Sequence, residues 1–84
     1  MHHVYIIHGK GGVLYFGRTD NLDKRLREDN NGQVSSTRSN RPWRYVYVES
    51  YLAKEDAVDR ELTFKQYGNA RTYVKKRINK SMSK

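Results

Sequence analysis

Two short apolar stretches, His3 to His8 (HVYIIH) and Val13 to Gly17 (VLYFG), are rich in β-branched and aromatic residues and flank the turn sequence Gly9-Lys10-Gly11-Gly12. Together they predict a β-hairpin. A loop with an odd number of residues places Tyr5 opposite Tyr15 and Ile7 opposite Val13. One face then carries Val4, Ile6, Leu14 and Phe16, all apolar and fit to meet a core, while Tyr5, Ile7, Val13 and Tyr15 share the other. From Asp20 to Asn31 (DNLDKRLREDNN) the pattern changes to that of a helix, with Asp20 as N-cap, Asp23 in the capping-box position and Gly32 as the stop. Leu22 and Leu26 make its apolar stripe, and Arg25 and Asp29, four apart, border that stripe. Gln33 to Pro42 is a polar loop. Trp43 to Tyr51 sets aromatics at odd positions and predicts a third strand. Lys54 to Tyr67 and Asn69 to Ile78 read as two further helices separated by Gly68, followed by a frayed basic tail over 79–84. The expected fold is α+β: one domain over 1–78, a short three-stranded antiparallel sheet with flanking helices in the order β-β-α-β-α-α.

Composition narrows the function classes. The 84 residues carry 17 Lys+Arg against 9 Asp+Glu, a net charge of +8, and no cysteine, so disulfides and thiolate metal sites are excluded and reducing cytosol is permitted. No apolar run approaches the roughly 20 residues that span a bilayer, and Met1-His2-His3-Val4 lacks the parts of a signal peptide, so a soluble, cytoplasmic monomer is expected. A concentrated positive surface points first to a polyanion bound through its phosphates. Anionic membrane is the weaker alternative, because no helix pairs a basic face with a wide apolar one.

Four residues resist a purely structural reading. On the Lys54 to Tyr67 helix, Phe64, Ala57, Val58 and Leu62 project at roughly 340°, 0°, 100° and 140°, and Glu61 at about 40°, inside that apolar sector. Such a carboxylate is paired with a cation such as Lys65, bound to metal, or held at the rim of the core. Arg25 is open to two readings, a surface partner of Asp29 or a working cation. Tyr5 and Tyr15, taken singly, are strand tyrosines. No histidine has a second ligand at metal-binding spacing.

Taken jointly, Val4-Tyr5-Ile6, then Tyr15-Phe16-Gly17, Arg18-Thr19, a helix bearing Leu22 and Arg25, and a later glutamate on a helix after a third strand resemble the GIY-YIG nuclease family. The resemblance runs from about residue 3 to residue 78 and is strongest to small stand-alone members. The first motif lacks its leading glycine, and the second has Phe for Ile. The resemblance implies that Tyr5, Tyr15 and Arg25 are catalytic, that Gly17 leaves room for the phosphate, that Arg18 adds a neighbouring cation, and that Glu61 holds a single Mg²⁺ (or Mn²⁺). Tyr15 is the preferred base, with Tyr5 positioning the water. Four residues after the arginine the family usually has histidine; here stands Asp29, which either helps orient a water or locks Arg25 in a salt bridge. Asn69 corresponds weakly to a late family asparagine. Arg38, Arg41 and Arg44, with Lys10 in the hairpin turn, are expected to grip duplex or branched DNA through its phosphates without reading bases. The implied activity is metal-dependent hydrolysis of DNA with little sequence specificity; the alternative is a non-catalytic DNA- or RNA-binding module that retains the fold.

Overall fold

A computed structural model describes residues 1–84. Strands β1 (His2–His8), β2 (Leu14–Thr19) and β3 (Arg44–Tyr51) form an antiparallel sheet in the order β2-β1-β3, so the most apolar strand lies in the middle. Helix α1 (Leu22–Asn30) links β2 to β3, and α2 (Lys54–Gln66), α3 (Gly68–Arg77) and the short α4 (Asn79–Met82) follow. The α+β fold expected from the hydrophobic pattern is the one observed.

Both faces of the sheet are covered. On one, Val4, Ile6 and Val46 pack against Ala57, Phe64, Val74 and Ile78 of the α2–α3 segment, with Leu14 and Phe16 alongside. On the other, Tyr5 and Ile7 pack with Trp43, Tyr15, Tyr45 and the Leu22/Leu26 stripe of α1. The expected division of the hairpin residues between faces is therefore correct, and so is the helical stripe. The register differs by two residues: Tyr5 pairs with Gly17 and Ile7 with Tyr15. The reason lies in the turn. Gly9 N donates to Val13 O at 2.8 Å, and Gly11 and Gly12 adopt positive φ of about 80°, so the loop is five residues long and takes in Val13. A slip of two preserves the face of every side chain.

Three further boundaries differ from expectation. The N-cap of α1 is Asn21, whose side chain accepts from Lys24 N at 3.0 Å, one residue later than Asp20. On α2 the buried residues are Ala57 and Phe64 while Leu62 is 44% exposed, which moves the apolar sector toward roughly 350° and leaves Glu61 at its rim. The basic tail is ordered as α4, where Met82 packs on the core and Arg44 donates to the carbonyls of Ser81 and Met82 at 3.0 and 2.9 Å. A cation at the carbonyl end of a helix satisfies groups that have no partner inside it.

Candidate active site

Tyr5 comes from the centre of the middle strand and is fully buried, its ring edge-on to Tyr45 at 5.4 Å. Gly17 lies opposite it on β2. A β-carbon at position 17 would sit 2.5 Å from the Tyr5 hydroxyl, so the close approach this glycine permits is first of all that of Tyr5 itself. The crowding expected against a phosphate thus falls on a phenol already in place. Burial pushes the Tyr5 phenol well above its ordinary value; Arg25 opposes the rise, while Asp29, Tyr15 and Tyr45 add to it. At neutral pH Tyr5 is a hydrogen-bond donor.

Arg25 and Asp29 project from α1 toward the same face. The Arg25 Nε lies 3.6 Å from Asp29 Oδ2, and Asp29 is fully buried. Burial disfavours the Arg25 charge, but Tyr5, Asp29 and Tyr15 outweigh it and hold the guanidinium firmly charged. The other Asp29 oxygen accepts from Thr37 Oγ1 at 2.8 Å. Three buried polar atoms have no hydrogen-bond partner: Tyr5 OH, Arg25 Nε and Asp29 Oδ2. All three belong to this one group of residues.

Thr37 and Asn30, which the sequence does not flag, fix the loop beneath the site. Asn30 accepts from Trp43 N at 2.6 Å and donates to Trp43 O at 3.0 Å, and the Trp43 indole donates to Thr37 O at 2.6 Å. Trp43 is therefore a buried anchor of the loop and presents no face to a ligand. Burial also pushes the Tyr45 phenol up to about 12, and its hydroxyl donates to Leu22 O at 2.6 Å.

The remaining sequence-predicted residues fall in three places. Arg18 and Glu61 meet on the α2 side of the sheet, with Arg18 Nε 3.4 Å from Glu61 Oε1 and Lys65 Nζ 3.2 Å from Oε2. Successive side chains of a strand point to opposite faces, so Gly17 and Arg18 straddle the edge strand β2 and the two groups flank it. Arg38 and Arg41 are exposed on the loop, and Lys10 is exposed nearby, its carbonyl accepting from Asn40 at 3.4 Å. Arg44 does not join them. Its guanidinium is held by α4 on the other side of the sheet, which divides the expected arginine cluster. Asn69 sits in the first turn of α3, lining a cleft with Tyr47 and Arg60.

Glu61 is the carboxylate to ask about metal. It is mostly buried, and cations occupy both its oxygens. One such carboxylate suits a hard divalent cation that keeps most of its water and takes further ligands from a phosphate. A lone carboxylate whose two oxygens already face Arg18 and Lys65 would hold an ion only where water and a phosphate complete its coordination.

A second polar network lies on β3. Glu49 accepts from Tyr51 OH at 2.6 Å, from Tyr47 OH, and from Arg60 Nε and a terminal Arg60 nitrogen at 2.9 and 3.0 Å, while Arg60 stacks over Phe64 at 4.3 Å. A glutamate flanked by tyrosines on alternate strand positions is the only trace of it in the sequence.

Comparison with known proteins shows what the chain as a whole resembles. The model of the GIY-YIG catalytic domain matches residues 1–79. A UPF0213 protein of Staphylococcus saprophyticus is 37% identical over 79% of this chain and 82% of its own. Another, of Halobacterium salinarum, is 37% identical over 83% of this chain and 92% of its own. The solution NMR structure of the UPF0213 protein BH0048 of Bacillus halodurans superposes with a TM-score of 0.57 at 29% identity, over 92% of this chain and 85% of that one.

Proposed function

The chain belongs to the GIY-YIG nuclease family, and on that premise we propose that it is a divalent-metal-dependent endonuclease hydrolysing DNA phosphodiester bonds with little sequence preference. The observation that carries this reading is the group of three buried polar atoms on Tyr5, Arg25 and Asp29 that make no hydrogen bond, two of them facing each other only as a 3.6 Å ion pair. Folded domains satisfy nearly all such atoms, and a concentration of exceptions in one place is how a site prepared for a ligand looks without it.

Arg25 clasps the scissile phosphate. Its planar fork offers paired donors to two oxygens and keeps its charge throughout the reaction. Tyr5, kept protonated by burial, donates to the phosphate or to the attacking water. Tyr15, half-buried on the edge strand, is the base: its phenolate takes the proton from that water and becomes the phenol. Glu61 would hold Mg²⁺ or Mn²⁺, which when bound supplies positive charge beside the leaving oxygen. Arg18 and Lys65, released from Glu61, add their charges to the phosphate side. Lys10, Arg38 and Arg41 steer the duplex or branched DNA by its backbone.

A second reading rests on Asp29. It faces Arg25 from a fully buried position, and a carboxylate so placed holds the arginine away from a phosphate. In that case the domain binds nucleic acid without cutting it. Single-turnover cleavage of supercoiled plasmid by Arg25 variants tests the catalytic reading. Arg25→Ala is expected to lower the rate on the order of 10³-fold, with Arg25→Lys recovering only part. A lysine variant of full activity would make Arg25 a simple solvated charge.

A further inference from the structure

Most of the net positive charge of this protein lies in a segment that contributes only Lys65 to the proposed nuclease site. Residues 1–61 carry 10 Lys+Arg against 9 Asp+Glu, a net +1, whereas residues 62–84 carry 7 against none, so +7 of the total +8 lies there. Two of those seven cations are occupied: Lys65 pairs with Glu61, and Arg71 donates to the carbonyls of Phe64 and Lys65. The other five, Lys75, Lys76, Arg77, Lys80 and Lys84, are exposed and have no acidic partner. An unneutralised cluster opposes its own folding by self-repulsion, and it calls for a polyanion.

The same surface has a shape. Between β3, α2 and α3 lies a cleft of about 670 Å³ whose walls include Tyr47, Arg60, Asn69, Tyr73, Lys76 and Arg77. Asn69, Tyr73, Lys76 and Arg77 follow one another at spacings of four, three and one, which sets them on one face of α3. Tyr73 is 72% exposed, a large aromatic ring left in water between cations. Arg60, tied to Glu49, makes a fixed floor. The volume falls within the range of about 300–1,000 Å³ that encloses small ligands.

We propose that the α3–α4 face and its cleft bind a single strand of nucleic acid, with a base stacked on Tyr73 and the backbone following Lys76, Arg77 and Lys80. Phosphates alone would explain the cations. The exposed ring beside them is what distinguishes an unpaired strand, since a base within a duplex has no free face to offer. α2 and α3 pack on the Val4/Ile6 face of the sheet, and the Tyr5, Arg25 and Asp29 group occupies the opposite face. The strand cleft thus lies across the sheet from Tyr5, Arg25 and Asp29 and shares the α2 face with Glu61, which does not line it, so one nucleic acid that is part duplex and part single-stranded could occupy both sites.

Fluorescence anisotropy in EDTA, which prevents cleavage, tests the proposal with a labelled oligo-dT of about fifteen nucleotides and a duplex of equal length. Tyr73→Ala is expected to weaken oligo-dT binding about 5- to 150-fold, the range for losing one stacked base, and to change duplex binding less than twofold. Tyr73→Phe retains the affinity. A double Lys76→Gln, Arg77→Gln variant lowers the salt slope for oligo-dT by about 1.4. Circular dichroism checks that these exposed substitutions leave the fold intact. Unchanged oligo-dT affinity in folded Tyr73→Ala overturns the proposal. So does loss of binding to anionic phosphatidylglycerol vesicles in the double variant with oligo-dT unaffected, which would assign the face to membrane. Because no cutting is measured, a chain that never cleaves DNA still shows this binding. A chain that cleaves yet ignores Tyr73→Ala loses the strand site alone.

Discussion

Replacing Tyr5 with phenylalanine separates a functional hydroxyl from a structural one. The ring is fully buried and packs edge-on against Tyr45 at 5.4 Å, contacts that phenylalanine keeps. The hydroxyl makes no well-formed hydrogen bond and has only a weak contact with Arg25, and an unpaired buried hydroxyl costs about 1–3 kcal/mol in proteins. Its removal also takes away one packed atom, so the net expectation is a gain of about 1 kcal/mol. In a domain of this size that raises the melting temperature by about 4–8 °C. The variant also loses a pH dependence. Burial raises the folded phenol above the unfolded value of about 10, so the parent loses stability as pH rises from that value through the folded one, a loss that Tyr5→Phe does not show. Cleavage moves the other way: if Tyr5 acts as the proposed donor, its loss is expected to lower the single-turnover rate about 10²- to 10³-fold. Thermal melts at pH 7 and pH 11, read beside plasmid nicking, contain the whole test. A less stable Tyr5→Phe would mean that the hydroxyl has a partner, and an active one would remove Tyr5 from the machinery.

Two further expectations follow from buried carboxylates. Asp29→Asn keeps the acceptor for Thr37 while removing the charge that holds Arg25, so DNA affinity measured by titration should rise about 5-fold or more with little loss of stability. Asp29→His, the family's usual residue there, must fit a larger ring into a fully buried position and should lower the melting temperature; if neither variant binds DNA more tightly, Asp29 does not compete for Arg25. Burial works against ionisation of Glu49, but hydrogen bonds from Arg60, Tyr47 and Tyr51 outweigh it and hold its carboxyl below the usual range. Its stability contribution is therefore present above the unfolded value of about 4.3 and lost as pH falls through the folded value, so urea melts of the parent and Glu49→Gln should differ at pH 7 and converge toward pH 3.

Much of this was legible in the sequence because the rules involved are local. Strand faces follow from a period of two, so Val4, Ile6, Leu14 and Phe16 separated from Tyr5 and Tyr15 even though the register was misjudged by two residues. Turn geometry decides register, and nothing in Gly9-Lys10-Gly11-Gly12 states that Val13 belongs to the loop. The pairing of Glu61 with Lys65 was also legible, since both lie within one helix, whereas the rim position of Glu61 emerged only from the exposure of Leu62. What was hidden is long-range. Thr37 against Asp29, Asn30 against Trp43 and Arg44 against α4 join residues from 8 to 38 positions apart with no periodic signal. The depth at which Asp29 sits depends on that loop closing over it. A tail of lysines read as frayed because its anchor, Met82, is a single apolar residue.

The central claim is that Glu61 brings a divalent ion to a phosphate held by Arg25. Nicking of supercoiled plasmid by the parent and by Glu61→Gln, each with Mg²⁺, Mn²⁺ or EDTA, tests it most directly. The parent is expected to nick with either ion and not in EDTA, and Glu61→Gln to bind DNA as well as or better than the parent while failing to nick. Equal nicking by the two proteins, or nicking by the parent in EDTA, would contradict it.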